Sequence, residues 1–115
     1  MKRDMDLIRK ILIQVEEKEN EYLEELQPIE GYTEEEVQYH LRLISGQKFV
    51  NAYYADNTGR VTNLTWEGYE FLENIKNESI WNKTKDVVAK NGGTASVAIM
   101  AELAKDFTLK HFGLK

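Results

Sequence analysis

The sequence predicts an α+β domain that is mostly helical and carries one β-hairpin. Apolar residues recur at helical spacing in several segments, which indicates amphipathic helices. Residues 48–64 are instead rich in aromatic and β-branched side chains and are interrupted by an Asp-Asn-Thr-Gly turn, as in a hairpin. The length of 115 residues, with 42% hydrophobic residues, suits one domain.

The first helix is predicted to begin after Asp4, whose carboxylate suits an N-cap. One apolar stripe follows at spacings of three and four, made of Met5, Ile8, Ile11, Leu12 and Val15. The polar residues 16–21 should end this helix. Residues 26–29 are predicted to be a short extended piece, because Pro28 suits an edge strand or a connector.

A second helix has the clearest start in the chain, since Thr33 and Glu36 have the spacing of a capping box. Its predicted buried stripe consists of Val37, Leu41 and Ile44, and Gly46 is the expected stop.

The hairpin is predicted to pair residues 48–55 with residues 60–64. Gly59 is expected to supply the left-handed turn conformation. Because Tyr53 and Tyr54 are neighbours on one strand, one is expected in the core and the other in solvent.

Three further helices are predicted after the hairpin. Thr65 should cap the third helix, whose expected buried face is Trp66, Tyr69, Leu72 and Ile75. The fourth ends near Gly92, and the fifth begins at Thr94 or Ser96. We expect a core of residues 1–76 and a helical extension of residues 77–115 that packs on it as part of a single domain.

Composition argues against several classes of function. Without Cys, no disulfide or thiolate metal site can form. The serines lack a His-Asp context, and His40 and His111 lack spaced carboxylate partners. Gly92-Gly93 has no following Lys-Ser/Thr pair, so it does not predict a phosphate loop. We therefore expect no enzyme, no cofactor, no bound metal and no small-molecule substrate.

The apolar runs are too short for a signal-peptide core or a membrane span, and we expect a cytoplasmic protein without membrane contact. The net charge of −5 is unevenly distributed. Residues 1–75 hold 8 basic and 16 acidic residues, whereas residues 76–115 hold 7 basic and 4 acidic residues. The two parts could attract each other within one chain or between two chains.

The predicted order of helix, short strand, helix, hairpin and helix is that of a winged helix. Three segments resemble parts of bacterial winged-helix regulators: EVQYHLRLI the recognition helix, GQKFV the first wing strand, and LTWEGYEFL the second wing strand running into the next helix. Residues 22–32 have no helical period, so the helix that braces recognition in those regulators is expected to be reduced to a turn or a short strand.

The opening MKRDMDLIR, the segment from Glu30 to Leu41, the LTWEG word and Trp81-Asn82-Lys83 together resemble one bacterial and prophage family, catalogued as a domain of unknown function. The resemblance covers nearly the whole chain. It implies a winged-helix-like fold and a phage or prophage setting, and it implies no established activity.

Two functions remain open. The first is a binding module that works by protein–protein contact or as an accessory regulator. The second is a dimeric sequence-specific regulator that contacts DNA through Gln38, Tyr39, Arg42 and Arg60. The net negative charge of residues 1–75 disfavours DNA binding. In particular, residues 34–36 are three glutamates at the end of the helix that would enter the groove.

The last helix is the predicted interface. Ile99, Met100, Leu103 and Phe107 widen its apolar surface beyond a single stripe, so the helix needs cover on two sides. That cover is either a second copy of the chain, which would make a homodimer, a different protein partner, or the third and fourth helices.

Overall fold

The computed structural model describes residues 1–93 and 95–114 and divides the chain into two compact units, Met1–Glu70 and Phe71–Lys115. We call them the first unit and the second unit. Over the described residues the elements are α1 (Met5–Glu16), β1 (Glu24–Glu25), α2 (Glu34–Gly46), β2 (Val50–Ala55), β3 (Thr58–Leu64), α3 (Trp66–Ile75), α4 (Glu78–Lys90) and α5 (Val97–His111). The predicted α+β, mostly helical class is confirmed.

Helix α1 forms as predicted, and its buried stripe differs from the prediction at one residue, since Leu7 is buried and Met5 is only half-buried. The Asp4 carboxylate accepts a hydrogen bond from the Leu7 amide at 3.1 Å, which satisfies one of the free donors at the helix start. The buried residues are Leu7, Ile8, Ile11, Leu12 and Val15.

The extended piece before α2 lies earlier than predicted. Strand β1 comprises Glu24 and Glu25, which pair antiparallel with Val61 and Arg60 of β3, whereas residues 26–29 form no strand. Both glutamates are exposed, so the strand is set by backbone pairing and leaves no apolar pattern in the sequence. The predicted reduction of the bracing helix to a short strand agrees with this.

Helix α2 has the predicted start and a different stop. Both halves of the Thr33–Glu36 capping box are present. Gly46 ends the helix while still helical, and Lys48 takes the left-handed conformation with φ 62°. The Phe49 amide donates to the Ile44 carbonyl at 3.0 Å, which closes a Schellman-type end.

The three strands form an antiparallel sheet in the order β1-β3-β2, which together with α1 and α2 is compatible with a winged-helix-like arrangement. The prediction for Gly59 is wrong, because the two-residue turn consists of Asp56 and Asn57, both with positive φ. Gly59 lies within β3, where a Cβ would come within 2.6 Å of the Leu41 and Tyr54 side chains. A lack of space therefore requires this glycine.

The predicted buried face of α3 is half wrong. Trp66 and Tyr69 are exposed, while Leu72 and Ile75 are buried. A step of three residues falls about 60° short of a full helical turn. Three such steps therefore place Trp66 and Ile75 on opposite sides of the helix. The buried positions are instead Gly68, Phe71, Leu72 and Ile75, which have true helical spacing.

The second unit contains α4 and α5, which pack on each other. Asn77 caps α4, and Ser96 caps α5 by accepting from the Ile99 amide at 3.2 Å. The alternative start at Thr94 lies outside the described residues. Trp81 and Thr84 are buried on α4. Among the described helices, none has the length and apolar character required to span a bilayer.

Candidate binding surfaces

The outer face of α2 is largely committed to the rest of the first unit. The Gln38 side-chain oxygen accepts a hydrogen bond from the Gly59 amide at 2.7 Å. β1 ends at Glu25, opposite Arg60, so the next residue of β3 has no β1 partner and its amide is satisfied from α2 instead. Gln38 therefore completes the sheet.

Tyr39 and Arg42 follow Gln38 on the same helix and differ in exposure. Tyr39 is half-buried, with its ring edge-on to that of His40 at a centroid distance of 5.4 Å. Arg42 is exposed and lines a shallow recess with Tyr54, Asp56 and Asn57. Of the predicted DNA contacts on α2, Arg42 is thus the one that extends into solvent beside the hairpin tip.

Arg60 is tied to β1. Its guanidinium donates to the Glu25 carboxylate at 3.1 Å across the β1–β3 pair. Both side chains are partly exposed, so the ion pair contributes little to stability. The Glu25 carboxylate nevertheless offsets part of the positive potential with which Arg60 could attract a phosphate.

The end of α2 that would enter a DNA groove is acidic. Glu34 and Glu35 are exposed, and Glu36 accepts from the Thr33 amide at 3.0 Å in the capping box. These carboxylates complement the positive end of the helix dipole. They repel the phosphates that a DNA-binding protein must approach.

Asp4 joins three elements at the other side of α2. Its amide donates to His40 Nε2 at 2.8 Å, and its carboxylate accepts from the Tyr32 hydroxyl at 3.2 Å. His40 is buried, and its Nδ1 lies 2.8 Å from the Glu36 carbonyl oxygen. Since the Asp4 amide can only donate, the His40 proton lies on Nδ1. His40 is therefore a structural residue of the core.

Burial of the Tyr32 hydroxyl, followed by the negative charge of Asp4 and their hydrogen bond, raises the pKa of Tyr32 above its ordinary value. This neutral phenol closes one side of a groove with a volume of about 300 Å³ between the β1–α2 connection and α2. Its lining residues include the apolar Leu26, Pro28 and Val37 as well as the acidic Glu25 and Glu34.

The first turns of α3 expose two large aromatic side chains. Trp66 is 77% exposed and Tyr69 is 43% exposed, and the acidic residues Glu67 and Glu70 are exposed beside them. We call these four residues the α3 surface. The buried spacing from Gly68 to Ile75 could have identified it in the sequence, because that spacing turns Trp66 outward. At Gly68, a Cβ would lie 2.0 Å from the carbonyl oxygen of Phe49, the residue just before β2. This close packing fixes the rotation of α3 about its axis.

The aromatic pair on β2 also differs from prediction. Tyr53 and Tyr54 are both exposed, so neither is a core residue. The Tyr54 hydroxyl lies 3.0 Å from the Ser45 hydroxyl, and the ring passes close to Gly59. The small volume of Gly59 lets the Tyr54 ring lie across the sheet, and Tyr53 on the other face remains in solvent.

The four residues predicted as an interface on α5 do not share one environment. Ile99 is 55% exposed, Leu103 and Phe107 are half-buried, and Met100 is only 3% exposed. Met100 is part of the core of the second unit and cannot line an open surface.

No cluster of three or more His, Cys, Asp or Glu side chains that could hold a metal ion occurs in residues 1–93 or 95–114. The two histidines have different environments. His40 is buried, whereas His111 is exposed with its ring edge-on to Phe112.

The model of a family described as hypothetical protein (DUF2513) matches residues 2–94. The chain belongs to the DUF2513 family. An uncharacterized protein of Haemophilus influenzae is 30% identical over 111 residues, which cover 91% of this chain and 93% of that protein. No solved structure matches the chain. The predicted membership of a domain-of-unknown-function family is confirmed, and the DUF2513 match includes every residue of the α3 surface.

Proposed function

We propose that this DUF2513 chain is a non-catalytic binding module that recognises a protein partner, or acts as an accessory regulator, through the first unit. The observation that carries the proposal is the hydrogen bond between Gln38 and the Gly59 amide. It occupies the side chain that a winged-helix regulator would turn toward bases. The phage or prophage setting implied by the family resemblance is part of the same proposal.

The α3 surface supports a protein partner with basic side chains. A tryptophan as exposed as Trp66 can anchor a protein interface, where Trp and Tyr often dominate the binding energy. Glu67 and Glu70 beside it favour a Lys- or Arg-containing segment, which can also stack on an indole face. The partner that fits this surface is therefore a basic segment of another protein.

A calorimetric titration tests this. The probe is a ten-residue peptide of alternating Arg and Leu, and the comparison probe replaces every Arg with Glu. We expect the basic peptide alone to bind, with Trp66→Ala weakening binding at least about tenfold, as for a central aromatic contact. Tyr22→Ala is the matched control, since Tyr22 is also strongly exposed but lies before β1. Equal binding by wild type and Trp66→Ala would contradict the proposal.

The alternative is a DNA-binding regulator that acts as a dimer. Arg42 favours it, because this exposed arginine lies beside the hairpin turn, where a wing would approach the duplex. In that case affinity for a duplex should fall steeply with rising salt, and Arg42→Ala should weaken it. The charge of residues 1–75 and the internal roles of Gln38 and Arg60 count against this alternative.

A further inference from the structure

The β2 edge of the sheet is open in the first unit. Among the residues that the structure describes, β2 pairs with β3 alone and lies at the end of the order β1-β3-β2. The two-residue turn makes Ala55 and Thr58 the closing hydrogen-bonded pair. Antiparallel pairs alternate, so the backbone groups of Ala52 and Tyr54 point away from β3.

The β2 edge lacks the features that normally prevent edge pairing. Val50–Ala55 has the sequence VNAYYA, with no charged residue and no proline. The opposite edge is different, because β1 is only two residues long and both are exposed glutamates. One edge of the sheet is thus protected by charge, and the other can accept a further strand.

The residues at the two ends of β2 are complementary to each other. Lys48 precedes the strand and Asp56 follows it. In an antiparallel pairing of β2 with its own copy centred on Ala52, Lys48 of one chain lies opposite Asp56 of the second copy, twice by symmetry. Within residues 1–93 and 95–114, neither charged group has a hydrogen bond or ion pair, so both are available.

We propose that two copies of this chain associate through antiparallel pairing of their β2 edges, centred on Ala52, with Lys48 and Asp56 setting the register. The pairing adds main-chain hydrogen bonds from Ala52 and Tyr54 and joins two three-stranded sheets into one. A two-fold interface of this kind is self-complementary, which is why a single charge pattern serves both copies. The inference goes beyond the proposed function, since it concerns a second copy of the chain. The two sites adjoin each other, because Glu67 of the α3 surface lines a recess with Lys48 and Ala52 at the β2 edge.

Charge reversal tests the register directly. Sedimentation equilibrium from about 10 µM to about 1 mM should show a wild-type monomer–dimer equilibrium, a range that covers weak association. Lys48→Glu and Asp56→Lys, each alone, should weaken association at least about tenfold, because like charges then face each other twice. An equimolar mixture of the two variants should restore association, since the heterodimer regains both opposite-charge pairs.

Backbone pairing needs its own variant. Ala52→Pro removes the outward amide and should abolish association without breaking the β2–β3 pair. Circular dichroism checks that each variant is folded. Ala52→Lys is a second edge variant, and Ala89→Lys on α4 is its matched surface control. Ala89→Pro would be unsuitable as a control because it interrupts α4. A wild-type monomer at about 1 mM, association that survives Ala52→Lys, or a charge-variant mixture that stays monomeric would each overturn the proposal.

Trp66→Ala separates the two proposals. It should leave the β2 dimer unchanged while weakening the basic peptide. Loss of association in Trp66→Ala would mean that the α3 surface, and not the β2 edge, joins the copies, which would overturn the β2 inference.

Discussion

Replacing Gln38 with leucine removes the contact between α2 and the hairpin while keeping the side-chain size close. The Gly59 amide, which lies in a buried residue, then loses its acceptor at 2.7 Å. A lost hydrogen bond of this kind costs about 1 kcal/mol, and a buried donor left unsatisfied adds about 1 kcal/mol or more. We therefore expect the free energy of unfolding to fall by about 2 kcal/mol.

Thermal denaturation followed by circular dichroism measures this loss. For a chain of this length, a change of about 2 kcal/mol should lower Tm by about 8 °C. Amide hydrogen exchange gives a second, local readout, because the Gly59 amide should lose protection. Arg42→Ala is the control on the same helix, and as an exposed substitution it should change stability by less than about 0.5 kcal/mol. If Gln38→Leu were as neutral as Arg42→Ala, Gln38 would be available to a ligand and our reasoning would be refuted.

Three further outcomes follow from the first unit. Lys48→Gly should raise the free energy of unfolding by about 1 kcal/mol in urea denaturation, because glycine adopts φ 62° without steric cost; an unchanged midpoint would contradict the Schellman-type end. Gly68→Ala should lower it by about 3 kcal/mol, because the new Cβ meets the Phe49 carbonyl oxygen, and wild-type stability would show that α3 can shift. Asp4→Asn should lower the pKa of Tyr32 toward its ordinary value without reaching it, since burial remains the larger cause; ultraviolet absorbance during a pH titration measures this, and an unchanged pKa would exclude Asp4 as a contributor.

The raised pKa of Tyr32 also gives a sign for alkaline stability. The folded chain favours the neutral phenol, so unfolded chains lose that proton at lower pH than folded ones. The contribution is complete below the unfolded pKa and is lost as pH rises through the folded pKa.

Much of the first unit could be predicted from local sequence. The stripe of α1 and the Thr33–Glu36 box are complete within a few residues, so periodicity and capping chemistry are enough to find them. β1 could not be located, because its two glutamates are held by pairing with a strand 35 residues away. The requirement for glycine at position 59 could not be predicted for the same reason. A side chain there would collide with Leu41 and Tyr54, and sequence spacing does not bring these residues together.

The candidate site was predictable only in its residues, not in their roles. The chemistry of Gln38, Arg42 and Arg60 predicts DNA contacts, yet Gln38 and Arg60 bond within the first unit. Helical spacing alone could not show this, since it gives the face of a side chain but not its partner. Trp66 illustrates a different error. Residues 66, 69, 72 and 75 are predicted to share one face, whereas each step of three residues falls about 60° short of a full helical turn.

Binding to duplex DNA tests the central claim most directly. The claim is that the first unit binds protein and does not read DNA. Fluorescence anisotropy of a labelled random-sequence duplex at about 50 mM salt is sufficient, because even non-specific binding by a regulator becomes strong at low salt. Our account predicts no saturable binding by wild type up to about 10 µM. Binding that is lost at about 200 mM salt and weakened by Arg42→Ala would contradict it.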